Sequence, residues 1–177
     1  MSEEKTTIES EVKLPKRWLV NYLPMWLGQV LSILGSSVVQ FAVIWYLTEK
    51  TGSASVLALA SLISGAPQVI IGPFAGALVD RWNRKLVMLF SDGFVAFLAL
   101  VLAALFTSGR IQTWHILTIL FLRSMVGSFQ WPAMRASVSL MVPKEHLSRL
   151  GGIDQAVDGL LNIIAPVLGA LLLSLWK

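Results

Sequence analysis

The sequence contains no cysteine, which excludes disulfide staples, thiolate metal sites and cysteine nucleophiles. Its two histidines, His115 and His146, are too few for a histidine-rich metal site. Charge is scarce as well: 14% of the 177 residues are Asp, Glu, Lys or Arg, against about 25% in ordinary soluble domains. A soluble domain of this length must cover a large surface with polar side chains. This chain is 55% hydrophobic with a mean hydropathy of +0.71, so lipid is the solvent for most of it. No phosphate-cradling glycine loop, paired catalytic acids or Ser/His/Asp set is present, so neither an ATP-driven pump nor a membrane enzyme finds support, and no cofactor is expected. A net charge of +4 and a pI near 9.7 would suggest nucleic acid for a soluble protein. Here the cations are read first as topology signals, and no nucleic-acid partner is expected.

Spanning a hydrocarbon core of roughly 30 Å takes about 20 mostly apolar helical residues. Five segments qualify: Trp18–Leu47, Val56–Val79, Leu86–Thr107, Trp114–Val138 and Ile153–Trp176. Residues 1–17 mix Glu3, Glu4, Glu9 and Glu11 with Lys5 and Lys13 and lack an apolar run, so they are predicted to be a retained cytoplasmic tail. Residues 18–177 form the membrane domain. The intervening stretches, Glu49–Ser55, Asp80–Lys85, Ser108–Thr113 and Met141–Gly152, are predicted loops.

With the amino terminus inside, Lys5, Lys13, Lys16, Arg17, Arg81, Arg84, Lys85, Arg135, Lys144 and Arg149 face the cytoplasm. Only Lys50, Arg110 and Lys177 face outward, and Arg123 lies within the fourth span. The positive-inside rule therefore sets the amino terminus in the cytoplasm, and five crossings leave Lys177 outside.

Gly72-Pro73-Phe74-Ala75-Gly76-Ala77-Leu78 in the second span is echoed by Ala165-Pro166-Val167-Leu168-Gly169-Ala170-Leu171 in the fifth. The prolines stand 93 residues apart (166 − 73), and the first and fourth spans start 96 apart (114 − 18). These spacings match a three-span unit repeated in inverted orientation, with Pro/Gly-interrupted helices in corresponding positions. On that arithmetic a sixth span is missing.

The stretch Gly76-Ala77-Leu78-Val79-Asp80-Arg81-Trp82-Asn83-Arg84-Lys85 sets one acid beside three cations within five positions, more charge than a tight turn needs. Asp80 can pair with Arg84 or with Arg135, latching helix ends at the water boundary. This stretch resembles motif A of the major facilitator superfamily, Gly-x-Leu-x-Asp-Arg-x-Gly-Arg-Lys, which lies between the second and third helices. Asn83 stands where the pattern has Gly, and Asn also tolerates a left-handed turn. The wider set, Gly28-Gln29, Gly35-Ser36-Ser37, Trp45-Tyr46, Thr51 through Ala54, Pro67-Gln68 and Gly72 through Lys85, resembles the macrolide-efflux branch. The resemblance implies that Gly76, Asp80, Arg81, Arg84 and Lys85 gate the exchange between inward-facing and outward-facing states.

Arg123-Ser-Met-Val-Gly127 is similar to motif B, Arg-x-x-x-Gly, whose arginine is implied in proton coupling. A guanidinium does not release a proton near neutral pH, so Arg123 acts electrostatically, on a carboxylate or an anionic group, or else it snorkels to the outer surface. Asp92 sits near the cytoplasmic side and is assigned to the motif A charges. Asp154 and Asp158, one turn apart at the start of the fifth span, either cap that helix or line an inner vestibule. Asp92, Asp154 and Asp158 are the candidate carboxylates for proton coupling or a substrate path with Arg123, Gly127 and Gln40, though none of the three sits at the depth of Arg123 if that residue lies in the outer half. Ala165-Pro166-x-x-Gly169-Ala170 resembles the antiporter motif C, Gly-Pro-x-x-Gly-Gly, with Pro166 bending the helix and Gly169 admitting a close neighbour.

Gly28, Ser32 and Ser36, and Gly65, Gly72 and Gly76, form small faces suited to helix contact. Gln40, Gln68, Gln130 and Asn162 either line a substrate path or bond helices together. Trp18, Trp45, Trp114 and Trp176 sit at span ends as interfacial anchors, with His115 beside Trp114. The fold class is thus an all-α membrane protein of five helices, an incomplete amino-terminal half of a major facilitator fold. The resemblance implies a multi-pass protein of a bacterial cell membrane. Completed by a carboxy-terminal half, it would exchange protons for a bulky hydrophobic drug such as a macrolide by alternating access. The alternative is a non-transporting membrane module that binds or regulates another transporter.

Overall fold

In hydrocarbon every backbone N–H and C=O must be satisfied within the protein, which leaves an apolar run of this length no better choice than a helix. The computed structural model describes residues 18–176. Five helices occupy nearly all of them: α1 (Trp18–Thr51), α2 (Ala54–Val79), α3 (Arg84–Thr107), α4 (Thr113–Met141) and α5 (Lys144–Trp176). The tail expected over residues 1–17, with its lysines, and Lys177 lie outside the described residues.

The turns follow from local chemistry. Gly52 at φ 56° and Gly109 at φ 65° end α1 and α3 in the left-handed region, where a Cβ is costly. Ser53 then caps α2 by accepting from the Val56 N–H (3.4 Å). Asn83 caps α3, its Oδ1 accepting from the Lys85 N–H (3.2 Å). That cap corrects the expectation of a left-handed turn at Asn83: its φ is −71° and its ψ 104°, the extended backbone an N-cap requires.

A second correction concerns α5. The stretch Met141–Gly152 was expected to be a loop, yet α5 begins at Lys144, straight after Pro143. Hydropathy locates the lipid boundary and not the helix boundary. Lys144 through Gly152 is polar but helix-competent, Glu145 sits in the first turn where the helix dipole favours an anion, and the helix projects past the apolar layer.

Among the described residues four helices are long and apolar enough to cross a membrane: α1, α2, α3 and α5 over Lys144–Leu171. At 29 residues α4 is long enough, but Arg123, Gln130, Arg135 and its serines dilute its apolarity. It is also the most enclosed, packing along α2 and α3 and touching α1, with Ile116, Ile119, Leu120, Ser124, Ser128, Ala133 and Met134 buried. Helix α1 lies along α5 and touches α2.

One apolar cluster fills the end of the bundle near the α1–α2 and α3–α4 turns, with Val43, Leu47, Ala60, Leu98, Leu102, Ile116 and Leu120 buried. The two turns are tied there by Lys50, whose Nζ donates to the Ile111 carbonyl (2.9 Å). A smaller cluster, Val79, Met88, Ala133 and Met134, sits near the α2–α3 turn. The outward faces are apolar too: Val69 is 78% and Leu100 70% exposed, as lipid-facing side chains are.

Candidate functional site: a polar cavity inside the bundle

Polar residues on α1 recur at Gln29, Ser32, Ser36 and Gln40, spacings of three and four that stack them on one helix face. On α4 the residues Arg123, Gly127, Gln130 and Met134 recur in the same way. These two faces enclose a cavity of about 480 Å³, completed by Ser64 and Gln68 of α2, Asp92 of α3, and Asn162 and Pro166 of α5. The four intramembrane amides singled out from the sequence, Gln40, Gln68, Gln130 and Asn162, all line it.

Asp92 is the hub. Its Oδ2 accepts from Gln29 Nε2 (3.1 Å), and its Oδ1 accepts from Ser32 Oγ (3.0 Å) and Gln130 Nε2 (2.7 Å). One carboxylate thereby joins α3 to both α1 and α4. This corrects its assignment to the motif A charges: two turns inside α3, the side chain turns into the bundle, where neutral donors satisfy it. Gln29 and Ser32 are functional candidates that the sequence reading missed, although their i, i+3 polar spacing in an apolar helix is itself a signal.

Arg123 donates from Nη2 to the Ser36 carbonyl (3.1 Å) and lines the same cavity. Ser36 is one turn beyond Ser32 on α1, about 6 Å, and Arg123 is two turns from Gln130 on α4, about 10 Å. The guanidinium and the Asp92 carboxylate therefore line one cavity, one to two helical turns apart in depth. Neither contacts the other directly. Around them Gln40 Nε2 donates to Ser64 Oγ (3.3 Å), and Ser124 Oγ donates to the Ser64 carbonyl (2.6 Å), binding α4 to α2. A Cβ on Gly127 would come within 3.4 Å of Gln68 Nε2 across this contact.

Asp154 and Asp158 stand elsewhere. Because α5 starts at Lys144, they lie about three and four turns inside the helix and cap nothing. They line a separate cleft of about 260 Å³ between α1, α4 and α5 that also holds Arg135. Trp26 Nε1 donates to Asp154 Oδ1 (2.6 Å) across it.

At the α2–α3 turn, Asp80 pairs with Arg84 and not with Arg135; Arg84 Nη2 lies 3.5 Å from Asp80 Oδ1, one turn on. Arg81 and Lys85 are exposed beside it. A Cβ at Gly28, Gly65, Gly72 or Gly76 would meet nothing within 4 Å, so these four glycines admit no close neighbour among the described helices, whereas Ser32 and Ser36 of the α1 face do reach α3 and α4. Gly169 is different: its Cβ would lie 2.5 Å from Phe41 Cδ1, so this glycine lets α5 close on α1 just beyond Pro166.

Long apolar helices around a half-buried arginine, a carboxylate hub and a ring of amides are the arrangement of membrane proteins in which intramembrane ionisable groups mark substrate or ion pathways. The sequence pattern of the Major Facilitator Superfamily matches residues 25–177, and the chain belongs to that family. It is similar to the macrolide efflux protein A of Streptococcus pyogenes, 38% identical over 160 residues that make up 90% of this chain and 40% of the relative. The macrolide efflux protein A of Enterococcus faecalis is 36% identical over 126 residues, 71% of this chain and 39% of the relative. The enterobactin exporter EntS of Shigella flexneri is 26% identical over 168 residues, 89% of this chain and 40% of the relative. The chain therefore spans about 40% of the length of these curated relatives. No solved structure matches it.

Proposed function

We propose that these helices are the amino-terminal part of a carrier that exports a bulky hydrophobic drug, a macrolide by similarity to its relatives, in exchange for protons. All five helices cross the membrane, with the amino terminus and the α2–α3 turn on the cytoplasmic side. The enclosure of α4 supports its crossing, since a helix wrapped by neighbours needs less apolarity than one facing lipid. The pairing of helices supports the inverted repeat: α1 lies along α5 as α4 lies along α2, the exchange that a 1–3/4–6 repeat generates. A complementary carboxy-terminal half supplies the opposite cavity wall.

The observation that carries the coupling is the Asp92 hub. Ionised, the carboxylate accepts from α1 and α4 at once. Protonated, one of its two oxygens becomes a donor, so the carboxyl no longer accepts from Gln29 and Gln130 at once as the ionised form does, and the tie of α3 to α1 and α4 is weakened. Loading a proton is thereby linked to helix arrangement, which alternating access requires. Arg123 supplies fixed positive charge to the same cavity, and Gln40 and Gly127 line the substrate path beside it. Asp154 and Asp158 form an inner vestibule, and the motif A residues Gly76, Asp80, Arg81, Arg84 and Lys85 lock the cytoplasmic rim against the other half.

The test is macrolide accumulation in cells expressing the complete carrier. Asp92→Asn is expected to abolish gradient-driven exclusion of the drug and Asp92→Glu to retain part of it. Full exclusion by the Asn variant refutes the coupling role.

A further inference from the structure

A second feature of the bundle lies on the far side of α3 from the polar cavity. Phe90 and Phe94 stand two positions before and after Asp92, about 200° around the helix, so they face away from the carboxylate's partners. With Leu86 they form an i, i+4, i+8 stripe, and Phe129 of α4 supplies the opposite wall of a groove of about 700 Å³. The groove is almost wholly apolar until its end at the α2–α3 turn. There Trp82 stacks on Phe129, with ring centroids 6.2 Å apart, and Arg81 stands at the mouth. Phe90 is 74% exposed, and the Arg81 guanidinium has no hydrogen-bond or ion-pair partner among the described residues.

We propose that this groove is a binding site for an anionic phospholipid, with one acyl chain along α3 and the phosphate at Arg81. The dimensions fit an acyl chain. From Leu86 to Phe94 the stripe is about 12 Å long, close to the half-thickness of about 15 Å that one leaflet contributes to the hydrocarbon core. The charge complements it: among the described residues the Arg81 guanidinium is unpaired at the groove's polar end, while Asp80, the nearest acid in sequence, is engaged by Arg84, so the phosphate is held when the rim is unlocked and Arg81 is not engaged by the other half. Trp82 marks the headgroup level, as interfacial tryptophans do. Basic residues at the end of an interhelical groove are the general arrangement for holding such headgroups. An annular lipid without a site would be indifferent to headgroup and to the identity of one arginine.

The experiment is native mass spectrometry of the full chain purified in mild detergent and offered phosphatidylglycerol or phosphatidylcholine with identical acyl chains. Wild type is expected to retain phosphatidylglycerol preferentially. Arg81→Gln should weaken that retention about fivefold, the equivalent of about 1 kcal/mol for one cation near an anionic surface, while Arg81→Lys keeps most of it. Arg110→Gln, at the opposite end of α3, should leave it unchanged, and Phe90→Ala should lower retention of both lipids by opening the acyl groove. Equal retention of the two lipids by wild type, or equal losses in Arg81→Gln and Arg110→Gln, overturns the proposal. Lipid-free dimers that dissociate on Arg81→Gln would make the groove a contact between copies and also overturn it. None of these readouts depends on drug export, so a failure here leaves the coupling proposal standing.

Discussion

Charges at a membrane surface and charges inside the bundle do different work, and two aspartates separate the cases. Asp80 is two-thirds exposed and pairs with Arg84 at 3.5 Å, a geometry worth at most about 1 kcal/mol in water. Asp80→Asn is therefore expected to change the unfolding free energy of the purified chain by less than about 1 kcal/mol. In the complete carrier it is expected to slow export severalfold, because the lock at the inner rim depends on charge. A thermal-shift series beside a transport assay checks both halves. Equal export by the variant removes the gating role. Asp92 accepts three hydrogen bonds inside the bundle, so Asp92→Ala should cost more, about 1–3 kcal/mol, by leaving the buried Gln29 amide without its acceptor and Gln130 with only Gln29 Oε1.

The contrast also marks what the residues disclose on their own. Asp80 was legible in the sequence because its neighbours in the chain define its surroundings. Asp92 was not, because Gln29 and Gln130 lie 63 and 38 residues away and reach it only through tertiary packing. Sequence distance along α3 suggested the cytoplasmic rim, whereas rotation about the helix axis decides which way the side chain turns, and rotation is fixed by neighbours.

At the scale of the helix, existence and order are written in the apolar runs, and the starts of polar extensions are not. Hydropathy reports where lipid ends, so the first turns of α5 read as a loop, and the two aspartates it carries were put at its end instead of several turns in. Glycine shows the same division. Gly76 and Gly169 occupy matching places in the internal echo, yet one meets open space and the other meets Phe41. Gly169→Ala is expected to destabilise the α1–α5 pairing by about 1–3 kcal/mol through overpacking, with Phe41→Ala in the same chain recovering part of the loss. Gly76→Ala is expected to leave chain stability unchanged or slightly raised, since helix propensity improves and nothing is displaced. Equilibrium unfolding in mixed detergent checks the three variants together. An equal loss at both glycines contradicts the geometry.

For the bundle as a whole, the absence of cysteine from these 177 residues makes its topology directly measurable, because a thiol introduced into the chain on its own is the only one in it. With five crossings, Arg110→Cys at the α3–α4 turn should react with an impermeant thiol reagent from outside intact cells, and Lys144→Cys at the start of α5 only after permeabilisation. Labelling of both from one side would mean that α4 does not cross. The bundle lines a cavity with residues of all five helices, ties three of them through one hub, and leaves Gly28, Gly65, Gly72 and Gly76 facing open space.

Proton movement driven by the drug is the most direct measurement of the coupling. In vesicles containing the complete carrier, a macrolide gradient should drive a counterflow of protons in wild type. The Asp92→Asn carrier should still exchange drug for drug while moving no protons. Macrolide-driven proton flux of wild-type size through the Asn variant would contradict the assignment of Asp92 as the coupling carboxylate.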